Sequence, residues 1–258
     1  MLRFFRHFRQ QLLTGNQVSK YLLYAIGEIL LVVIGILIAL QVNNWNERRL
    51  ERRQEIEILK SVRKDLANTI EEFRFLNQVR DKVLFGTSGI FQMASAGAIE
   101  GRKLDSLVGL TFYRPTFNNK EGSIDLLFSS GKINQIKNDS IRELLLAWPG
   151  LIDDMVEEED YAVALFQDHY YPLLANYVVL DEIIGYAVSV AFFGTSIREE
   201  RYNALPLQND YKGLLNDRNF LNHLRMRATH MRITTAEVND MIVHAQKLIA
   251  LIDNEITR

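Results

Sequence analysis

Cysteine is absent from the 258 residues, which excludes disulfides, thiolate catalysis and Cys-based zinc or iron–sulfur centres. That absence is compatible with an oxidising compartment and does not require one. Only four prolines occur, the first at Pro115, so no proline breaks a helix over positions 1–114. Fourteen glycines among many Leu, Ile, Glu and Arg favour a mainly α fold. No alternating apolar–polar run marks a strand, and no repeat or low-complexity linker divides the chain. A dominant charge is missing too. The formal net charge of −2 supplies no global field, and nucleic acid is not an expected partner.

Catalytic motifs are equally scarce. His169, His223, His230 and His244 form neither an HExxH motif nor a His pair at four-residue spacing. There is no nucleophile elbow and no phosphate-binding glycine loop. Asp168-His169-Tyr170-Tyr171 reads as a structural His among aromatics. No catalytic residue, cofactor or metal is expected.

What is present is one long apolar run, Tyr21 to Val42, with a single acid, Glu28, inside it. At about 1.5 Å per residue it is about 33 Å long, close to the roughly 30 Å hydrocarbon core of a bilayer. A cleaved signal peptide has a shorter core of about 7–15 residues and a small-residue cleavage site. Here Gln41, Asn43, Asn44 and Trp45 follow instead, so an uncleaved signal anchor is the better reading. Arg3, Arg6, Arg9 and Lys20 precede the span without an acid, which favours a cytoplasmic N-terminus. Arg48, Arg49, Arg52 and Arg53 follow it, interleaved with Glu47, Glu51 and Glu55. Trp45 suits the far interface. The expected organisation is a cytoplasmic amphipathic tail (1–20), a transmembrane helix (21–45) and a periplasmic helical domain (46–258) on a bacterial inner membrane. In the tail, Phe4, Phe5, Phe8, Leu12 and Leu13 oppose the arginines, so residues 2–13 read as an interfacial helix.

An acid in lipid costs roughly 2.5–3.5 kcal/mol at mid-membrane. At about 100° per residue, Gly35 and Ala39 lie about 20° either side of Glu28, with Asn46 in line. This stripe of an acid and small residues lets helices approach closely. Glu28 is then protonated, paired with a cation on a partner helix, or displaced toward the cytoplasmic interface.

Beyond the span, Leu59, Val62, Leu66, Ile70, Phe73, Leu76 and Val83 recur at helical steps, and a helix continuous with the span is expected to end between 85 and 97. Gly86, Gly89 and Gly97 are expected to loosen that end. A C-terminal helix of about 40 residues carries Phe220, Leu224, Ala228, Met231, Thr235, Val238, Ile242, Ala245, Ile249, Ile252 and Ile256. Between the two, Leu110–Gly122 reads as loop, Ser123–Gly131 as a short helix with a glycine cap, and Ser140–Trp148 as a helix capped by Asn138 or Asp139. The fold class is mainly α: an interfacial helix, one transmembrane helix and an elongated antiparallel helical bundle. Asp153, Asp154, Glu157, Glu158, Glu159 and Asp160 read as a solvated face. The acid-free stretch holding Arg218, His223, Arg225, Arg227, His230 and Arg232 could dock on that cluster, on lipid headgroups or on a partner. Residues 183–197 are a short, weaker second-span candidate.

Tyr21-Leu-Leu-Tyr-Ala-Ile-Gly-Glu28 through Asn43-Asn-Trp-Asn-Glu47 resembles the start of a family of uncharacterised Bacteroidota membrane proteins. The segment Ser129-Ser-Gly-Lys-Ile-Asn-Gln-Ile-Lys-Asn-Asp139 is similar to that family's soluble part. The resemblance implies an envelope location and little chemistry. Three functions fit the sequence. The first is an assembly or accessory subunit that binds the bilayer and either itself or other envelope membrane proteins. The others are a periplasmic ligand sensor acting through a partner and a proton-coupled component built on Glu28.

Overall fold

The computed structural model describes residues 17–97, 99–118, 122–188 and 207–257. The amphipathic tail with Arg3, Arg6 and Arg9, the Lys20 side chain and residues 189–197 lie outside the described residues. The chain is mainly helical, with no strand among the described residues. In chain order the helices are α1 (Gln17–Ala96), α2 (Gly101–Leu110), α3 (Gly122–Ser129), α4 (Asp139–Leu165), α5 (Tyr171–Ala175), α6 (Leu180–Val188), α7 (Tyr211–Asn216) and α8 (Arg218–Ile256). Two compact units divide the chain, Met1–Glu57 and Ile58–Arg258. The first holds the apolar segment of α1, the one described helix long and apolar enough to cross a membrane.

The second unit is built on three helices with one shared phase. Leu59, Val62, Leu66, Phe73, Leu76, Val83 and Ile90 of α1 are buried, and so are Thr69, Arg80 and Thr87 in the gaps between them. Steps of three and four alternate through this series, an apolar period of about 3.5 residues. In α4 the same steps bury Ile141, Leu145, Trp148, Ile152, Met155, Glu159 and Ala162. In α8 they bury Leu224, Arg227, Met231, Thr234, Val238, Met241, Ala245, Leu248 and Ile252. Arg63 meets Asp253, Asn77 meets Asn239 and Phe91 meets Arg225, so the α8 numbers fall as the α1 numbers rise. The two helices therefore run in opposite directions in this unit, without a slip of register.

The buried face of α8 differs from the apolar stripe read in the sequence. Arg227, Thr234, Met241 and Leu248 point inward, while Ile242, Ile249 and Ile256 pack at the edge of the core. Two polar residues occupy inward positions, which a search by apolarity steps over.

Local boundaries follow from caps. The Asn138 side chain accepts from the Ile141 N–H at 3.3 Å, and Asp217 accepts from the Phe220 N–H at 2.9 Å. Gly131 follows α3 at φ +69° and Gly97 follows α1 at φ +65°, both in the left-handed region that suits glycine. The sequence reading of a helix over Ser140–Trp148 is corrected: α4 continues through Pro149 to Leu165. Pro149 removes one helical hydrogen bond. However, Trp148, Ile152 and Met155 on both sides of it are buried in the same core, and that burial outweighs one lost bond. A second proline, Pro172, follows a single wide π turn at Phe166–Tyr170, where the missing N–H is accommodated.

Gly86 and Gly89 also need correction, because they do not loosen α1 but admit α2. A Cβ on Gly86 would sit 2.6 Å from the Leu107 carbonyl oxygen, and one on Gly89 would sit 2.7 Å from the Leu107 side chain. The Gly86 contact is with backbone, which cannot rotate away. Gly86→Ala is therefore expected to cost about 1–3 kcal/mol, typical of overpacking, despite the better helix propensity of alanine. Thermal unfolding of the purified chain measures it; an unchanged melting temperature refutes the tight α1–α2 approach. Residues 180–188 form α6, whose Ile183 is fully buried in the core that also contains Leu104, Leu107 and Leu174.

Candidate functional site

Two places stand apart from an ordinary apolar core. The first is the exposed face of the apolar segment. Glu28, Gly35, Ala39 and Asn46 are all exposed on α1. A Cβ on Gly35 would meet nothing within 4 Å, so this face is open. Glu28 forms no ion pair among the described residues. At the far end Trp45 is exposed, and the Arg49 guanidinium lies 5.6 Å from its ring centroid. Asn43 bonds Glu47 at 3.1 Å and Arg48 bonds the Asn44 carbonyl at 3.2 Å, so the polar end of this segment is tied to its own helix.

The second place is a polar layer inside the helical unit, which the sequence reading did not identify. Arg80 is fully buried on α1, and its guanidinium is ion-paired with Glu159 of α4, itself 4% exposed. Glu159 also accepts the Phe117 backbone N–H at 2.7 Å, so the pair clamps the loop after α2 onto two helices. Arg80 bonds Asn77 at 2.8 Å as well. Burial pushes the Arg80 pKa down and the Glu159 pKa up, while their mutual attraction opposes both shifts. The arginine stays charged at neutral pH, because its ordinary value lies so far above neutrality.

One heptad layer along, α8 supplies Arg227. Its Nε donates to the Thr111 carbonyl at 2.7 Å, and a second nitrogen donates to the Tyr113 carbonyl. The guanidinium carbon lies 4.5 Å from the Phe166 ring centroid. Burial without an adjacent carboxylate pushes the Arg227 pKa down to about 10. Burial also raises the Tyr170 phenol to about 12, and this hydroxyl hydrogen-bonds Thr111 at 2.8 Å. Nearby, His230 Nδ1 lies 2.6 Å from Glu158 Oε1, with the Tyr161 ring across the imidazole.

The acidic cluster therefore splits. Asp153, Asp154, Glu157 and Asp160 are exposed as a solvated face, but Glu158 and Glu159 turn toward the basic stretch and the core. Docking of the basic stretch on the acidic cluster occurs within the chain, through His230 and Glu158. Of the basic residues, Arg218, Arg225 and Arg232 stay exposed. His169 is exposed and stacks on His223 at 5.5 Å, while its neighbour Tyr170 is fully buried. A readable signal existed for the missed residues. Glu159 is four residues past Met155 and seven past Ile152, and Arg80 fills the seven-residue gap between Leu76 and Val83.

Chemically, the polar layer is closed. The space beside Glu159 and Arg227, bordered by Arg114, Pro115 and Thr234, is about 10 Å³, room for about one water and no substrate. Its work is positional: it fixes which residues of α1, α4 and α8 face one another, and it anchors the Thr111–Phe117 loop.

A model for a family of unknown function (DUF6090) matches residues 28–148, just under half of the chain. The matched stretch is an uncharacterised domain. It takes in Glu28, Gly35, Ala39, Asn46 and Arg80, and it ends before Glu159 and Arg227. No curated protein and no solved structure matches the chain.

Proposed function

We propose that this chain is a membrane-anchored assembly or accessory subunit of a bacterial envelope complex. A single inner-membrane span, cytoplasmic N-terminus and periplasmic antiparallel bundle complete the reading. The observation that carries it is the apolar segment of α1. None of its most apolar window is buried within the chain, and its mean hydropathy there is 2.6. A surface this apolar is covered by lipid or by another protein. Glu28 makes lipid alone an unfavourable cover for one face, and the small residues Gly35 and Ala39 on that face suit close helix contact. The partner is a second copy of the chain or another envelope membrane protein.

Two variants test the reading in gentle detergent. Glu28→Gln removes the charge, and Gly35→Leu fills the open face. Both are expected to shift the complex to smaller size on a sizing column, by at least the loss of one partner. Unchanged size in both variants overturns the assembly role of this face.

A further inference from the structure

Residues 82–96 of α1 and 218–236 of α8 contain no aspartate or glutamate, yet they carry Lys82, Arg218, Arg225, Arg227 and Arg232. Arg227 is used inside the core. Arg225 and Arg232, one heptad apart on α8, instead line an open groove of about 610 Å³ against α1. No acid borders it. The volume lies within the range of small-molecule sites, roughly 300–1,000 Å³.

The walls are of two kinds. Leu84, Phe91 and Ala228 give an apolar floor, and Ser88, Gln92 and Ser95 add neutral hydrogen-bonding groups. Arg225 is held with its guanidinium carbon 4.9 Å from the Phe91 ring centroid, which orders the cation before anything binds. Thr87 is the independent sign that the groove is built for a ligand. It is 3% exposed and borders the groove, and its buried hydroxyl oxygen has no hydrogen-bond partner. A helical threonine ordinarily bonds back to its own backbone, and an orphaned buried hydroxyl costs about 1–3 kcal/mol.

We propose that this groove binds a small organic anion with an apolar body. The anionic head sits between Arg225 and Arg232, and the apolar part lies against Leu84, Phe91 and Ala228. The site lies wholly in the second unit and uses none of the residues invoked for assembly, so either reading can fail without the other.

The test uses the full chain in nanodiscs of zwitterionic lipid and equilibrium dialysis of naphthalene-2-sulfonate, with empty nanodiscs subtracted. One binding site per chain is expected. Arg225→Gln/Arg232→Gln is expected to weaken binding by about tenfold or more, since two charge-assisted contacts are lost. Thr87→Val is expected to weaken it several-fold. Ser95→Glu adds a negative charge at an exposed position without removing packing, so it reports even if the double variant fails to fold, and a loss of about fivefold or more is expected. Inorganic sulfate, which lacks the apolar body, is expected to bind at least about tenfold more weakly than the sulfonate. Undiminished binding in the double variant or in Ser95→Glu, or sulfate binding as tightly as the sulfonate, overturns the proposal.

Discussion

Arg80→Met is expected to lower the unfolding free energy of the helical unit by about 3–5 kcal/mol, the usual cost of removing one partner from a buried ion pair. The reason lies on the other helix. Glu159 is 4% exposed, so without Arg80 its carboxylate loses the cation that faces it and keeps only the Phe117 N–H. It must then protonate or draw in water. For a unit of this size each kcal/mol lowers the melting temperature by roughly 2–4 °C, so the shift is large on a thermal scan. Replacing both partners, Arg80→Met with Glu159→Met, removes the isolated charge. The double variant is therefore expected to be more stable than Arg80→Met alone, and a double-mutant cycle reads the coupling directly. A double variant as unstable as the sum of the singles shows that the pair is not a unit.

Acid separates this account from simple loss of packing. Burial raises the folded-state pKa of Glu159 above its ordinary value of 4.5, so the folded protein holds that proton more tightly than the unfolded chain does. A carboxyl shifted this way contributes stability that is present below the unfolded value and is lost as pH rises through the folded value. Removing Arg80 raises the folded value further, because the cation opposes the shift. The deficit of Arg80→Met relative to the native protein should therefore narrow as pH falls from neutrality toward about 4.5. Melting temperatures of both proteins across that interval test it. A deficit independent of pH assigns the loss to packing instead.

The end of α1, the short helix α3, the start of α4 and the length of α8 were legible because caps and breakers act locally, whereas α2, α5 and α7 were not read from the sequence. The 39-residue length of α8, the glycine after α3 and the Asn138 cap each follow from one or two residues and their neighbours. The core face was less legible, for a reason visible in α8. Choosing apolar residues selects Ile242 and Ile249, yet the inward positions there are Met241 and Leu248, and Arg227 is buried beside Ala228. Alternating steps of three and four from Leu224 reach Ile252 by either of two phases, one through Ala228, Thr235, Ile242 and Ile249 and one through Arg227, Thr234, Met241 and Leu248, so period alone does not choose between them. The same steps in α1 admit Arg80, and in α4 they admit Glu159. What no period could supply was the pairing. That Arg80 faces Glu159 and Arg227 faces loop carbonyls depends on register between helices far apart in sequence. Nor could the sequence show that Gly86 marks a close approach, since a glycine near a helix end reads equally well as a cap.

Trp148→Ala should match Arg80→Met in size, at about 3–5 kcal/mol, by a different mechanism. Trp148 is fully buried and is the largest side chain so enclosed. Its ring lies 5.7 Å from that of His244, whose Nε2 donates to the Leu144 carbonyl at 3.0 Å. Truncation removes the apolar area and leaves a cavity between α4 and α8. Those walls cannot collapse easily, because buried neighbours on either side, Leu145 and Ile152 on α4 and Met241 and Ala245 on α8, hold the two backbones apart. Trp148→Phe keeps most of the volume and should cost clearly less, so the ranking Ala below Phe below native is the diagnostic result. The protein offers a clean probe for the comparison. It has two tryptophans, and Trp45 lies in the other unit. In a Trp45→Phe background the fluorescence of Trp148 alone should red-shift cooperatively with urea, at the same midpoint as the loss of helical circular dichroism. A red-shift that precedes the helical transition shows that the α4–α8 contact opens before the unit unfolds, which would remove Trp148 from the cooperative core.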